Sequence, residues 1–133
     1  MANEATKITL LGNAGDVMEY TIAAGAVIPK GSIMKISVSP QTVTIGTSSE
    51  NVVGVAAMES TATDTFTKLT VWTHGVFDMY STSGMTLGQP QKLEGANAIT
   101  DADDDTIIAR EEVVGLALET VGVTARGAVL IFK

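Results

Sequence analysis

Glu50-Asn51-Val52-Val53-Gly54-Val55-Ala56 and Glu111-Glu112-Val113-Val114-Gly115-Leu116-Ala117 are two versions of one phrase, and their reading decides the fold. Each opens on polar or acidic residues and runs into valines. Valine is stiff at χ1 and packs well on a pleated surface, so both phrases favour strands. A glycine inside a strand marks a bulge or the close approach of another backbone. Downstream, each phrase passes through a Thr-rich or Gly-rich turn into a second apolar strand, Lys68-Leu69-Thr70-Val71-Trp72 in one case and Ala128-Val129-Leu130-Ile131-Phe132 in the other. Upstream, Gly31-Ser32-Ile33-Met34-Lys35-Ile36 stands beside Gly88-Gln89-Pro90-Gln91-Lys92-Leu93. The pieces keep their order, which points to an internal repeat of 31–72 in 88–132.

Working outward, short apolar segments recur between turn residues at the spacing of a sandwich or barrel. The expected strands are Thr6–Leu11, Val17–Ile22, Ser32–Val38, Thr42–Ile45, Val52–Met58, Thr67–Thr73, Val76–Tyr80, Gln91–Glu94, Thr106–Ala109, Val113–Leu118 and Ala128–Phe132. Asn13-Ala14-Gly15, Pro29-Lys30-Gly31, Ser39-Pro40 and Ser83-Gly84 punctuate them. Thr67–Thr73 alternates, with Leu69 and Val71 on one face and Lys68, Thr70 and Trp72 on the other. Val113–Leu118 is apolar throughout, as in a strand buried on both faces. Thr100–Asp105 reads either as a capped, acidic first helical turn or as a turn between strands; the strand-rich context favours the turn.

The 133 residues suit one domain, and 45% are apolar, enough for a core of Val, Ile, Leu, Ala and Met. Eight basic against fifteen acidic residues leave a net charge of −7, which argues against binding nucleic acid or an anionic membrane. There is no cysteine, so neither a disulfide nor a thiolate metal site can form. No stretch reads as a signal peptide or a membrane span, and the expectation is a soluble chain made in the cytoplasm.

The chain offers little for catalysis. His74, the single histidine, precedes Gly75 and reads as a strand end or turn with no motif supplying an acid or a nucleophile. Asp101, Asp103, Asp105 and Glu112 match four liganding positions of a calcium loop, but the required glycine is Thr106 and the flanks read as strands. These acidic residues form a weak cation candidate, and the expectation is no metal and no cofactor. Ser60–Thr65 reads as a loop that could serve only for contact.

Two sets of residues carry a family resemblance. Val52–Ala57, the Thr-rich loop, and Leu69-Thr70-Val71-Trp72-Thr73-His74-Gly75-Val76-Phe77 resemble the core strands of the tailed-phage capsid decoration (head cement) proteins, of which the lambda head-decoration protein is one. The order of Tyr20–Gly31, the Val-Gly-Val-Ala strand, Gly75-Val76-Phe77 and Val114–Glu119 also resembles a family of small phage proteins often encoded beside capsid genes. The resemblance covers about Tyr20 to Lys133, and its lambda part only the middle. The strand spacing and the internal repeat point to an all-β fold, a small β-barrel or sandwich (β-tulip-like) built from two similar halves, and the resemblance agrees with that fold. The resemblance further implies a virion protein on the outer capsid surface, with the major capsid protein as partner and a homo-oligomer, a trimer, as its state. Residues 1–19 are then an N-terminal arm. Within it, Lys7, Ile8, Thr9, Leu10 and Leu11 either add a strand to a capsid sheet or form the first barrel strand. A second reading is a sugar- or receptor-binding module of a phage fibre or tail, using Tyr20, Trp72 and Tyr80.

Overall fold

In the computed structural model the chain is built of β-strands, and the structure describes residues 3–8, 16–48, 51–102 and 113–133. Among the described residues ten strands follow in order: β1 (Thr6–Ile8), β2 (Asp16–Thr21), β3 (Ile33–Ile36), β4 (Val43–Ile45), β5 (Val52–Ala56), β6 (Lys68–Ser81), β7 (Pro90–Gly95), β8 (Ala98–Asp101), β9 (Gly115–Ala117) and β10 (Ala125–Phe132). All belong to one sheet.

The sheet closes on itself. β6 pairs with β8, β8 with β7, β7 with β9, β9 with β10, and β10 returns to β6, a closed ring of five strands. The first half traces the same circuit. β6 pairs with β5, β5 with β3, β3 with β4, and β2 lies along β6 and touches β4 through a parallel Thr21–Thr42 bridge.

The correspondence extends to register. Met34 faces Gly54 as Gln91 faces Gly115, and Ile33 faces Val55 as Pro90 faces Leu116. Ile36 opposes Val43 as Leu93 opposes Ile99. Val55 and Ala56 oppose Trp72 and Val71, while Leu116 and Ala117 oppose Leu130 and Val129. The parallel contacts match too, Thr21–Thr42 in one half and Tyr80–Ala98 in the other. The connection from Asp101 to Val113 is longer than its counterpart from Ile45 to Val52.

Two glycines explain how the strands come so close. A Cβ on Gly54 would overlap the Trp72 carbonyl oxygen and stand 2.9 Å from its carbon. One on Gly115 would overlap the Leu130 carbonyl oxygen and stand 3.0 Å from that carbon. The glycine of each repeated phrase is the point where a neighbouring strand's backbone presses in.

Each half has its own core. Ile22, Ile28, Met34, Val43, Leu69 and Val71 pack together in the first, with Leu69 and Val71 alternating inward along β6 as their sequence indicates. Phe77, Met79, Met85, Ile99, Val129 and Ile131 fill the second, joined by Ile33 and Val55 from the first half. Burial of a side chain of this size is worth about 1.5–3 kcal/mol. Asn97 stitches the halves together: its Oδ1 accepts the buried Ile33 N–H at 2.9 Å.

β6 corrects one expectation. Thr67–Thr73 and Val76–Tyr80 are a single strand of 14 residues, and His74 and Gly75 lie within it instead of at a turn. Gly75 adopts φ +150°, and the register against β2 passes from Trp72 to His74 across one step, so Thr73 is the extra residue of a bulge. Glycine bends the strand here without ending it. The expected strand Thr106–Ala109 lies outside the described residues.

Candidate interaction surface

The polar side chains are engaged in holding the fold. His74 is half-buried, opposite Asp16 of β2 and Phe132 of β10. No hydroxyl or thiol is poised on it among the described hydrogen bonds.

Asp101 ends β8 and belongs to a polar cluster inside the mouth of the second ring. Its Oδ1 accepts the Thr86 N–H at 2.9 Å and the Gln91 Nε2–H at 2.8 Å, and its Oδ2 accepts the Thr86 hydroxyl at 2.8 Å. Burial pushes the carboxyl up, but the hydrogen bonds from Gln91 and from the Thr86 backbone and hydroxyl outweigh it and leave it below its ordinary value. Both oxygens thus accept hydrogen bonds from protein donors. Asp103, Asp105 and Glu112 lie outside the described residues. In the first half the corresponding places hold Met34 and Ile45, so this polar plug is particular to the second ring.

Gln91 and Asn97 have structural roles that no motif in the sequence marks. Both are buried, and each keeps one polar atom, Gln91 Oε1 and Asn97 Nδ2, without a protein partner. Position 97, beside Gly95, carries the only available signal, since asparagine tolerates its φ of +59°.

Of residues 1–19, Thr6–Ile8 and 16–19 lie in the sheet, and 3–5 are described outside any strand. Lys7 and Ile8 lie in β1, which pairs antiparallel with Val76–Asp78 of β6. The boundary expected at residue 19 falls inside β2. Thr9, Leu10 and Leu11 lie outside the described residues. The residues leading into β1 are tied down: Ala5 N–H donates to the Gly31 carbonyl at 2.8 Å and Arg126 Nη2 to the Glu4 carbonyl at 2.7 Å, while Arg126 Nε, on β10, meets Asp78 Oδ2 of β6 at 2.6 Å.

The three aromatics of the sugar-binding reading do not converge. Tyr20 packs on the first core and Trp72 on the second. Tyr80 is eight positions beyond Trp72 on the same strand, roughly 27 Å away for an extended chain.

The large apolar side chains that remain exposed lie at edges and ends. Val38, Val123, Val27 and Leu87 project from the turns. Val17 and Met18 are exposed on β2, as are Asp16 and Glu19. Adjacent strand residues point to opposite faces, so β2 is open on both sides along this stretch.

No family model matches the chain, and no curated protein matches it by sequence. Solved structures do. Among them is the head fiber gp8.5 N base in bacteriophage phi29, superposing with a TM-score of 0.53 over 87% of this chain and 94% of that one, at 12% sequence identity. At that identity the two share a fold.

Proposed function

We propose that the chain is a structural protein of a tailed-phage head, bound to the outer surface of the shell and stabilising its expanded form. The observation that carries this reading is the fold shared with the base of a phage head fibre. The engagement of the polar residues supports it: Asp101, Gln91, Asn97 and Arg126 each hold strands or turns together. Such a protein acts by contact. In this reading the partner is the major capsid protein, and copies assemble as a trimer. Each protomer lies across a join between shell subunits, and a modest contact repeated by symmetry gives high avidity.

The test is sedimentation of the purified protein with expanded and unexpanded heads. Strong binding to expanded heads alone, with raised heat resistance, is the expected result. Equal binding to both forms, or to neither, overturns the reading. The likeness to a fibre base favours one second reading, a module that seats a fibre or binds a receptor. Binding to a sugar on a glycan array, without head stabilisation, would select it.

A further inference from the structure

We propose that the outer edge of β2, at Val17–Glu19, is a strand acceptor for an extended, lysine- or arginine-bearing segment of a partner protein, added antiparallel. The repeated register supplies the argument. β2 runs along the first half of β6 as the second half of β6 runs along β10: Val17, Met18 and Glu19 oppose Trp72, Val71 and Thr70, while Val76, Phe77 and Asp78 oppose Leu130, Val129 and Ala128. Beyond these residues each strand makes its parallel contact, Thr21 with Thr42 and Tyr80 with Ala98.

The two edges differ in one respect. On β6, the edge of Val76–Asp78 away from β10 is occupied by β1, antiparallel, in the register Thr6–Asp78 and Ile8–Val76. On β2, the same edge of Val17–Glu19 has no strand pairing among the described residues. Among the described residues, one position of the architecture is filled once and open once. An open edge exposes a row of backbone donors and acceptors ready to pair with an extended chain.

Charge selects the occupant. Asp16 and Glu19 flank the open stretch, and the whole chain carries −7. A second copy laid antiparallel on β2 would bring these carboxylates together, so the edge repels its own kind. A basic segment gains cross-strand ion pairs at the same two places. The strand that fills the matching edge of β6, Thr6-Lys7-Ile8, has this composition, a lysine between β-branched residues. That the partner is the capsid protein rests on the function proposed above; the edge and its chemistry do not.

The experiment uses the full chain and the synthetic peptide Thr-Lys-Val-Val-Lys-Thr, capped at both ends, whose lysines stand three positions apart as Asp16 and Glu19 do. Amide hydrogen exchange is followed by NMR. Outward-facing amides of Asp16–Tyr20 should slow at least tenfold with this peptide and remain unchanged with the version carrying Glu for Lys. The double substitution Asp16→Lys/Glu19→Lys should weaken peptide binding at least tenfold while leaving the spectrum of the cores intact. Absence of protection on β2, equal protection by the acidic peptide, or full binding by the double variant would each overturn the proposal. Heads separate the two readings. If wild-type protein binds expanded heads and the double variant binds equally well, the β2 edge is excluded while the head function stands; if wild-type protein binds no heads, the head function falls whatever the peptide does.

Discussion

Replacing Gly54 by alanine should cost the protein a large part of its stability, and the cost can be worked from the contact it makes. The added methyl would overlap the carbonyl oxygen of Trp72 and stand 2.9 Å from both the Trp72 carbonyl carbon and Val71 Cγ1, where ordinary contacts begin at 3.4 Å. Two of these three neighbours are backbone of the adjoining strand, so relief requires β5 and β6 to separate. Overpacking of this kind costs about 1–3 kcal/mol. Gly54 also holds φ +152°, where an L side chain adds about 1–3 kcal/mol of strain. The sum is about 2–6 kcal/mol against a total of about 5–15 kcal/mol for a domain. For a chain of this length that lowers Tm by roughly 6–24 °C. Gly115→Ala meets the Leu130 backbone in the same way without the positive φ, and should cost about 2–3 kcal/mol. Gly122→Ala is the control: nothing lies within 4 Å of its added methyl, and the change should stay within about 0.5 kcal/mol. Calorimetry and urea titration of the three variants measure this series. If Gly54→Ala and Gly115→Ala both melt within about 2 °C of wild type, the close approach of the strands is refuted.

Asn97→Ala leaves the Ile33 N–H buried without an acceptor and puts alanine at φ +59°, for a loss of about 2–4 kcal/mol in urea titration; Asn97→Gly should recover only the backbone part. Asp101→Asn should cost about 1–2 kcal/mol at pH 7, kept low by solvent access, because an amide cannot accept all three donors. The pH dependence has a defined sign: the Asp101 carboxyl lies below its ordinary 3.8, so its contribution is present above that pH and disappears as pH falls through the folded value. The gap between wild type and Asp101→Asn should therefore narrow on acidification, and a gap unchanged at pH 2 would contradict the cluster. Arg126→Gln removes the ion pair to Asp78 and the bond to the Glu4 carbonyl; it should cost about 1–2 kcal/mol, since the pair is one-third exposed, and speed amide exchange in β1 more than in β9.

The strands that carry valine around a glycine were legible in the sequence, because apolar alternation and β-branching act locally. Val52–Ala56, Lys68–Thr73 and Ala128–Phe132 all fall in strands, and Val52–Ala56 and Gly115–Ala117 stand at corresponding register positions. His74-Gly75 was misread because glycine breaks a strand or bends it according to what packs around it, and only the tertiary structure supplies that. The parallel pairing of β8 with β6 left no trace either, since it joins segments whose own patterns are the same in any topology. The polar plug was visible only in part. Asp101 stands out as an acid among acids, but its partner Gln91 is set opposite it by the hairpin register and Thr86 reaches it from the turn before β7, and nothing in their own neighbourhoods announces either.

The strand common to both rings also fixes how the molecule would respond to tension. β1 and β10 run in the same direction on opposite edges of β6, with Thr6 beside Asp78 and Phe132 beside His74. A pull on the upstream end of β1 against the downstream end of β10 is therefore directed along the strand axes. Their hydrogen bonds to β6 would be sheared together instead of unzipped one after another, and rupture would require all of them to fail at once.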